Sequence, residues 1–175
     1  VLIMTQFNFD QAHSSVDFSI KHLMISNVKG RFEDFDGQFE GDINDLSTIK
    51  GTFTIKVNSI DTRDQNRDEH LLTDDFFSAE QYPEIKFEIE KVEENSVTGQ
   101  LTIKGETHEE TFDGQFEGVS KNPMNGEQTA GYTVNGRIDR EKYGMTFNQA
   151  LETGGVMLGK EVKFEVSVEA ALEDE

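Results

Sequence analysis

Ile49-Lys-Gly-Thr-Phe-Thr-Ile-Lys-Val-Asn-Ser59 decides the fold class. Ile49, Gly51, Phe53, Ile55, Val57 and Ser59 fall on one side of an extended chain, and Thr52, Thr54, Lys56 and Asn58 fall on the other. Alternation with a period of two marks a strand with one dry and one wet face. The scheme recurs in both directions from this stretch. Val16, Phe18, Ile20 and His22 oppose Asp17, Ser19 and Lys21. Ile85/Phe87/Ile89, Val97/Gly99/Leu101/Ile103, Phe112/Gly114/Phe116, Tyr132/Val134/Gly136/Ile138 and Val162/Phe164/Val166/Val168 repeat it against Thr, Lys, Glu and Asn. Strands wetted on one face belong to antiparallel sheets, because strands of a parallel sheet are buried on both faces.

With Phe7–Phe9 and Val28–Phe39, the chain holds about eight or nine such strands. Glu93-Glu-Asn-Ser96 and Asn122-Pro-Met-Asn-Gly126 read as hairpin connections. Either a sandwich or a closed barrel would use this many amphipathic strands. Glycines at inward positions 37, 51, 99, 114, 136 and 159 favour the barrel, whose strands bend as they close. Phe35-Asp-Gly-Gln-Phe-Glu-Gly41 recurs as Phe112-Asp-Gly-Gln-Phe-Glu-Gly118, which reads as two similar bent hairpins. The repeat makes Phe35, Phe39, Phe112 and Phe116 candidates for core or cavity wall.

One segment breaks the pattern: Ser59 to Phe77, rich in Arg, Asp and paired Leu and Phe. Arg67 to Leu72 predicts one or two helical turns, and Thr73 or Asp74 would cap another over Asp75 to Glu80, ended by Pro83. The insert is expected to lie across one end of the barrel.

Charge and composition narrow the functional classes. Lys+Arg of 16 against Asp+Glu of 35 gives a net charge of −19, a field that repels nucleic-acid phosphates and anionic membrane surfaces. The chain has no Cys, so disulfides and thiolate chemistry are excluded. Its longest apolar run, Val1-Leu-Ile-Met4, is too short for a signal-peptide core or a membrane span, and the expected compartment is the cytoplasm. A chain of 175 residues is expected to form a single domain over residues 1–175, with the barrel at about 6–170.

No motif singles out catalytic residues, and with 35 Asp and Glu a catalytic carboxylate pair can be neither picked out nor excluded. There is no Gly-x-Ser-x-Gly elbow and no glycine-rich phosphate loop. His13, His22, His70 and His108 lack tight metal-ligand spacing. A site assembled in space from His13, His22 and His70 is a minor alternative, and His108, in an acidic hairpin, reads as solvated. No catalytic residue, metal or cofactor is assigned. Strand parity carries His22, Ser59 and Arg140 onto the apolar face. A buried arginine needs a partner, and Asp61, Asp68, Asp75 and Glu161 are available. For Arg67 and Arg140 the bland expectation is an Arg–Asp network bracing the insert; the functional one has one of them, or Arg63, meeting a ligand's polar head.

Taken together and in order, Asp10-Gln-Ala-His-Ser14, Val16-x-Phe-x-Ile-x-His22, Gly30-Arg-Phe32, Ser59-Ile-Asp-Thr62, Arg67-Asp-x-His-Leu71, Asp75-Phe-Phe77, Tyr82-Pro-Glu-Ile-x-Phe87, Gly99-x-Leu-Thr-Ile-x-Gly-x-Thr107, Ile138-x-Arg-x-x-Tyr-Gly144 and Gly155-Val-x-x-Gly-x-Glu-Val162 resemble the YceI-like family from about residue 6 to 170. The resemblance implies an all-β, eight-stranded antiparallel lipocalin-like barrel, here with a short helical insert near residues 64–80. It also implies an elongated interior pocket for a polyisoprenoid or another long-chain amphiphile such as an isoprenoid quinone or a fatty-acyl lipid.

On that basis the expected pocket wall is Phe18, Phe32, Phe53, Ile55, Phe76, Phe77, Phe87, Leu101, Tyr132, Ile138 and Phe164. The expected rim is His22, Asp61, Arg67, His70 and Arg140. The expected role is a non-enzymatic carrier, buffer or storage protein without stable membrane insertion, and a homodimer is possible. Two other readings compete: an enzyme using His22, His70 and an Asp on a small hydrophobic substrate, and a stress or interaction protein whose barrel is filled.

Overall fold

Alternation along the chain becomes a closed wall of eight antiparallel staves. The computed structural model describes residues 5–23, 25–148 and 158–174. Three staves are each broken once: β1 (Thr5–Phe9) continues as β2 (Ser15–His22), β3 (Ser26–Phe32) as β4 (Phe35–Asp42), and β5 (Asp45–Lys56) as β6 (Ile60–Asp61). The others are β7 (Glu84–Val92), β8 (Ser96–Ile103), β9 (Glu106–Lys121), β10 (Gln128–Asp139) and β11 (Leu158–Asp174). Each stave pairs with the next in sequence, and β11 returns to the first. Phe164 and Val166 face Phe18 and Val16 of β2, and Ala170 and Leu172 face Phe9 and Phe7 of β1. Closure leaves inward side chains nowhere to go but a shared interior, where Phe32, Phe53, Ile55, Ile85, Leu101 and Phe112 are buried.

Inward glycines give aromatic rings room. A Cβ on Gly51 would stand 2.1 Å from Gln38 O and 2.7 Å from the Phe39 ring, closer than any real side chain approaches. Of the repeated Phe pairs, Phe35 is packing: it is buried, with ring centroids 5.9 Å from Phe9 and 5.8 Å from Phe53.

The break between β1 and β2 is held by a small polar knot. Asp10 caps the 3-10 turn Gln11–His13 through His13 N and bonds His13 Nδ1 at 2.7 Å. Ser14 Oγ donates to Asp10 O at 2.6 Å and accepts from Glu169 N at 3.0 Å, tying the turn to β11. His13, hydrogen-bonded to the Asp10 carboxylate, is raised above its ordinary value, and Asp10 is lowered by the same contact. A raised His adds stability below the ordinary histidine value of 6.5 and loses it as pH climbs through its own folded value. A lowered Asp adds stability above the ordinary 3.8 and loses it as pH falls through its folded value. The ion pair therefore contributes most between those limits. Urea titrations should show a larger gap between wild type and His13→Ala at pH 5.5 than at pH 8.5; equal gaps would mean that charge plays no part there.

The insert differs in detail from the expectation. Its helix, α1 (Gln65–Leu71), starts earlier than Arg67 because the Asp64 side chain accepts from Arg67 N and caps it. The second helical turn over Asp75–Glu80 does not form. Phe76 N and Ser78 N both bond Thr73 O, Ser78 Oγ donates to Asp74 Oδ1, and Ser78 takes a positive φ of 51° that a helix cannot continue through.

Candidate functional site

A cavity of about 410 Å³ runs inside the barrel. Its wall reaches from the end covered by the insert (Phe76, Phe77 and Leu71) to the opposite end at Phe7, Ile43 and Leu46. Phe18, Phe32, Phe53, Ile55, Phe87, Leu101, Tyr132, Ile138 and Phe164, expected on the wall from strand parity, all line it. From the expected rim, His22, Arg67, His70 and Arg140 also line it.

Asp61 does not. Its carboxylate accepts from Arg63 N at 2.9 Å and lies 3.9 Å from Arg31 Nη2, away from the interior.

The two lining arginines are committed to the protein itself, and not to the carboxylates proposed as their partners. Arg67 donates from Nε to Thr62 Oγ1 at 2.8 Å and from Nη2 to Thr62 O at 2.6 Å. Asp68 grips the same residue, accepting from Thr62 N at 2.9 Å and from Thr62 Oγ1 at 2.5 Å. Arg–Thr–Asp contacts thus replace the expected Arg–Asp pair, and fasten α1 to the end of β6. Arg140 is only 3% exposed. It donates from Nε to Gly159 O at 2.8 Å and from Nη1 to Met145 O at 2.7 Å and Phe147 O at 2.9 Å. Burial pulls its pKa down, partly offset by Glu141 and Asp139, but a guanidinium stays charged at any physiological pH. Three carbonyl dipoles take the place of a counter-ion.

Aromatic rings close the insert end. His70 lies edge-on to Phe76 and Phe147, both at 5.2 Å, and its Nε2 bonds Asp75 Oδ2 at 2.9 Å. Phe77 meets Phe32 at 6.0 Å. Lys104, in the β8–β9 turn, donates to Asp74 O at 2.7 Å and so ties the insert to the barrel. Tyr132 lines the cavity with its ring while its hydroxyl is tied to the β7–β8 turn, donating to Glu93 O at 2.6 Å. Burial and nearby Glu93 push its pKa up to about 12.

Met145 and Phe147 line the cavity without having been foreseen, because they follow β10 in an irregular stretch where parity no longer applies. Ile43 lies in the β4–β5 turn and Leu46 beside it at the start of β5, next to a register shift that breaks the parity. His108 is not the solvated residue expected: it is half-buried, donates to Lys142 O at 3.0 Å, and meets the Tyr143 ring edge-on at 5.0 Å. Among the described residues the group that brings three metal-capable atoms together is Asp10, His13 and Glu169, on the polar knot; His22 and His70 do not belong to it.

The YceI-like domain model matches residues 7–170. The chain belongs to the YceI-like family. A UPF0312 protein of Staphylococcus epidermidis is 60% identical to this YceI-like chain over 171 residues, covering 98% of it and all of the relative. The YceI protein of Campylobacter jejuni, a solved structure, superposes with a TM-score of 0.72 at 34% identity over 95% of each chain. A polyisoprenoid-binding domain from Saccharophagus degradans, implicated in plant cell wall breakdown, superposes with a TM-score of 0.65 over 97% of this chain and 98% of its own, at 12% identity. That last likeness is one of fold. The closed eight-stranded antiparallel barrel that the resemblance implies is the one the structure forms.

Proposed function

We propose that this YceI-like barrel binds a long-chain isoprenoid or a similar amphiphilic lipid in its interior and acts as a carrier, buffer or storage protein. The observation that carries the reading is a cavity of about 410 Å³ that reaches from one end of the barrel to the other and is lined mostly by apolar side chains. A volume of this size lies within the usual range for ligand sites and argues against a filled barrel. Each buried methylene contributes about 0.8 kcal/mol, so about ten of them approach the ~8 kcal/mol of a micromolar complex before ordering costs. The head group is neutral, as in a quinone. Arg67 and Arg140, the cations on the wall, already donate to Thr62 and to backbone carbonyls, and the net charge of −19 opposes a pyrophosphate. That the Saccharophagus domain binds a polyisoprenoid supports the same ligand class here.

Native mass spectrometry of gently purified protein should show a lipid-sized mass increment, lost on organic extraction and regained on incubation with an isoprenoid quinone. Protein that carries no lipid and takes up neither quinones nor fatty-acyl compounds would overturn the proposal.

A further inference from the structure

The barrel wall is split along a seam between β9 and β10. Pairing of β9 with β10 runs from Gln128↔Lys121 to Asn135↔Asp113 and stops there. Both strands nevertheless continue toward the insert end. β10 stays paired with β11 as far as Asp139↔Glu161, and β9 stays paired with β8 as far as Ile103↔Glu106. Residues 106–112 and 136–139 therefore border a fissure with no ladder across it. A pocket of about 440 Å³ occupies it, and Glu110, Phe112, Gly136, Arg137, Lys163 and Phe164 are among its lining residues.

Phe112 and Phe164 also line the interior cavity. Their rings meet edge to face, with centroids 4.8 Å apart and planes at 84°. Both lie over Gly136, where an added Cβ would stand 2.7 Å from Phe112 and 2.8 Å from Phe164. Two side chains, then, form the partition between the outer pocket and the cavity. At the fissure's far end Lys142 crosses to β9, donating to Glu110 Oε1 at 2.7 Å and accepting from His108 Nε2.

We propose that this fissure is a lateral mouth of the cavity, through which an apolar chain passes between the Phe112 and Phe164 rings. The inference rests on reading the cavity as a lipid site, and adds where the lipid gets in and out. Parting the long ladders of the wall, such as β5–β7 or β10–β11, breaks many hydrogen bonds, whereas here it needs only two aromatic side chains to turn about their χ angles. The insert end is a harder route, because Lys104, Arg67 and Asp68 fasten the insert to the barrel. Arg137 and Lys163 set cations beside Glu110 and Asp113 at the fissure, so a polar head waiting there meets a locally balanced surface on an otherwise strongly anionic molecule.

The chain has no cysteine of its own, so a double variant can stitch the seam. Register continued past Asn135↔Asp113 sets Thr111 opposite Arg137, both exposed. Thr111→Cys/Arg137→Cys, joined by a short bismaleimide, would be mixed with the neutral dye Nile red by stopped flow. A control would join Thr133→Cys to Ser167→Cys across the paired β10 and β11. Stitching the seam should slow uptake and release together by at least about tenfold, with Kd little changed, while the control matches wild type. Phe164→Ala, without a cross-link, should speed both. Unchanged rates with normal Kd would overturn the lateral mouth and leave the lipid-site reading standing; no uptake by any variant would overturn both.

Discussion

Arg140→Ala is expected to cost about 3 kcal/mol of unfolding free energy, a large share of the 5–15 kcal/mol typical of a domain. The guanidinium gathers carbonyls from Met145, Phe147 and Gly159 at the junction of β10 and β11. Truncation removes all three bonds at once and leaves carbonyl oxygens whose access to water is poor, and each charge-assisted bond contributes about 1.5–3 kcal/mol. Part of the sum is returned, since burying the charge was itself costly. Arg140→Lys should recover less than half, because an ammonium cannot reproduce the fork that spans Gly159 on one side and Met145 and Phe147 on the other. Urea unfolding followed by circular dichroism gives both values. A loss below about 1 kcal/mol for the alanine variant would mean that water replaces the side chain without penalty.

Val134→Trp is expected to weaken lipid binding roughly fifty-fold while leaving the protein folded. Val134 is half-buried, lines the cavity, and sits in mid-strand between Val166 of β11 and Gly114 of β9. An indole there would displace about three methylenes of ligand, and at ~0.8 kcal/mol each this amounts to about 2.4 kcal/mol, or somewhat under two decades in Kd. Thr133→Ala, on the outward face of the same strand, should bind as wild type does. Titration of a fluorescent long-chain fatty acid, with melting temperature as a check on folding, measures both variants. Equal affinity of wild type and Val134→Trp would place the ligand outside the barrel.

Period-two alternation marks the strands and, once the inward glycines and the family pattern point to closure, most of the wall as well, since inward parity in a closed sheet is the same thing as facing the interior. Phe53, Leu101, Ile138 and Phe164 were legible for that reason. Parity failed where the strand ended. At Met145 and Phe147 the backbone turns, so nothing in their spacing indicates which way they point. Arg140 was recognised as an inward cation, but its partners are backbone carbonyls, and a sequence pattern names side chains only. Asp61 failed for a different reason: β6 is two residues long, too short for alternation to fix a direction. The seam between β9 and β10 leaves no trace in sequence at all, because both strands keep their alternation on either side of it.

The closing strand β11 bonds both halves of the first stave, and one of those contacts, Asn8 to Glu173, spans 165 residues. Until β11 is available, the staves before it can be no more than an open sheet with two unpaired edges, each a template for association with another chain. Folding of the barrel is therefore committed by β11, the last of its staves in chain order, and contacts of such long sequence separation form slowly. For this protein the vulnerable interval falls in synthesis, where an exposed β edge waits for the strand that will seal it.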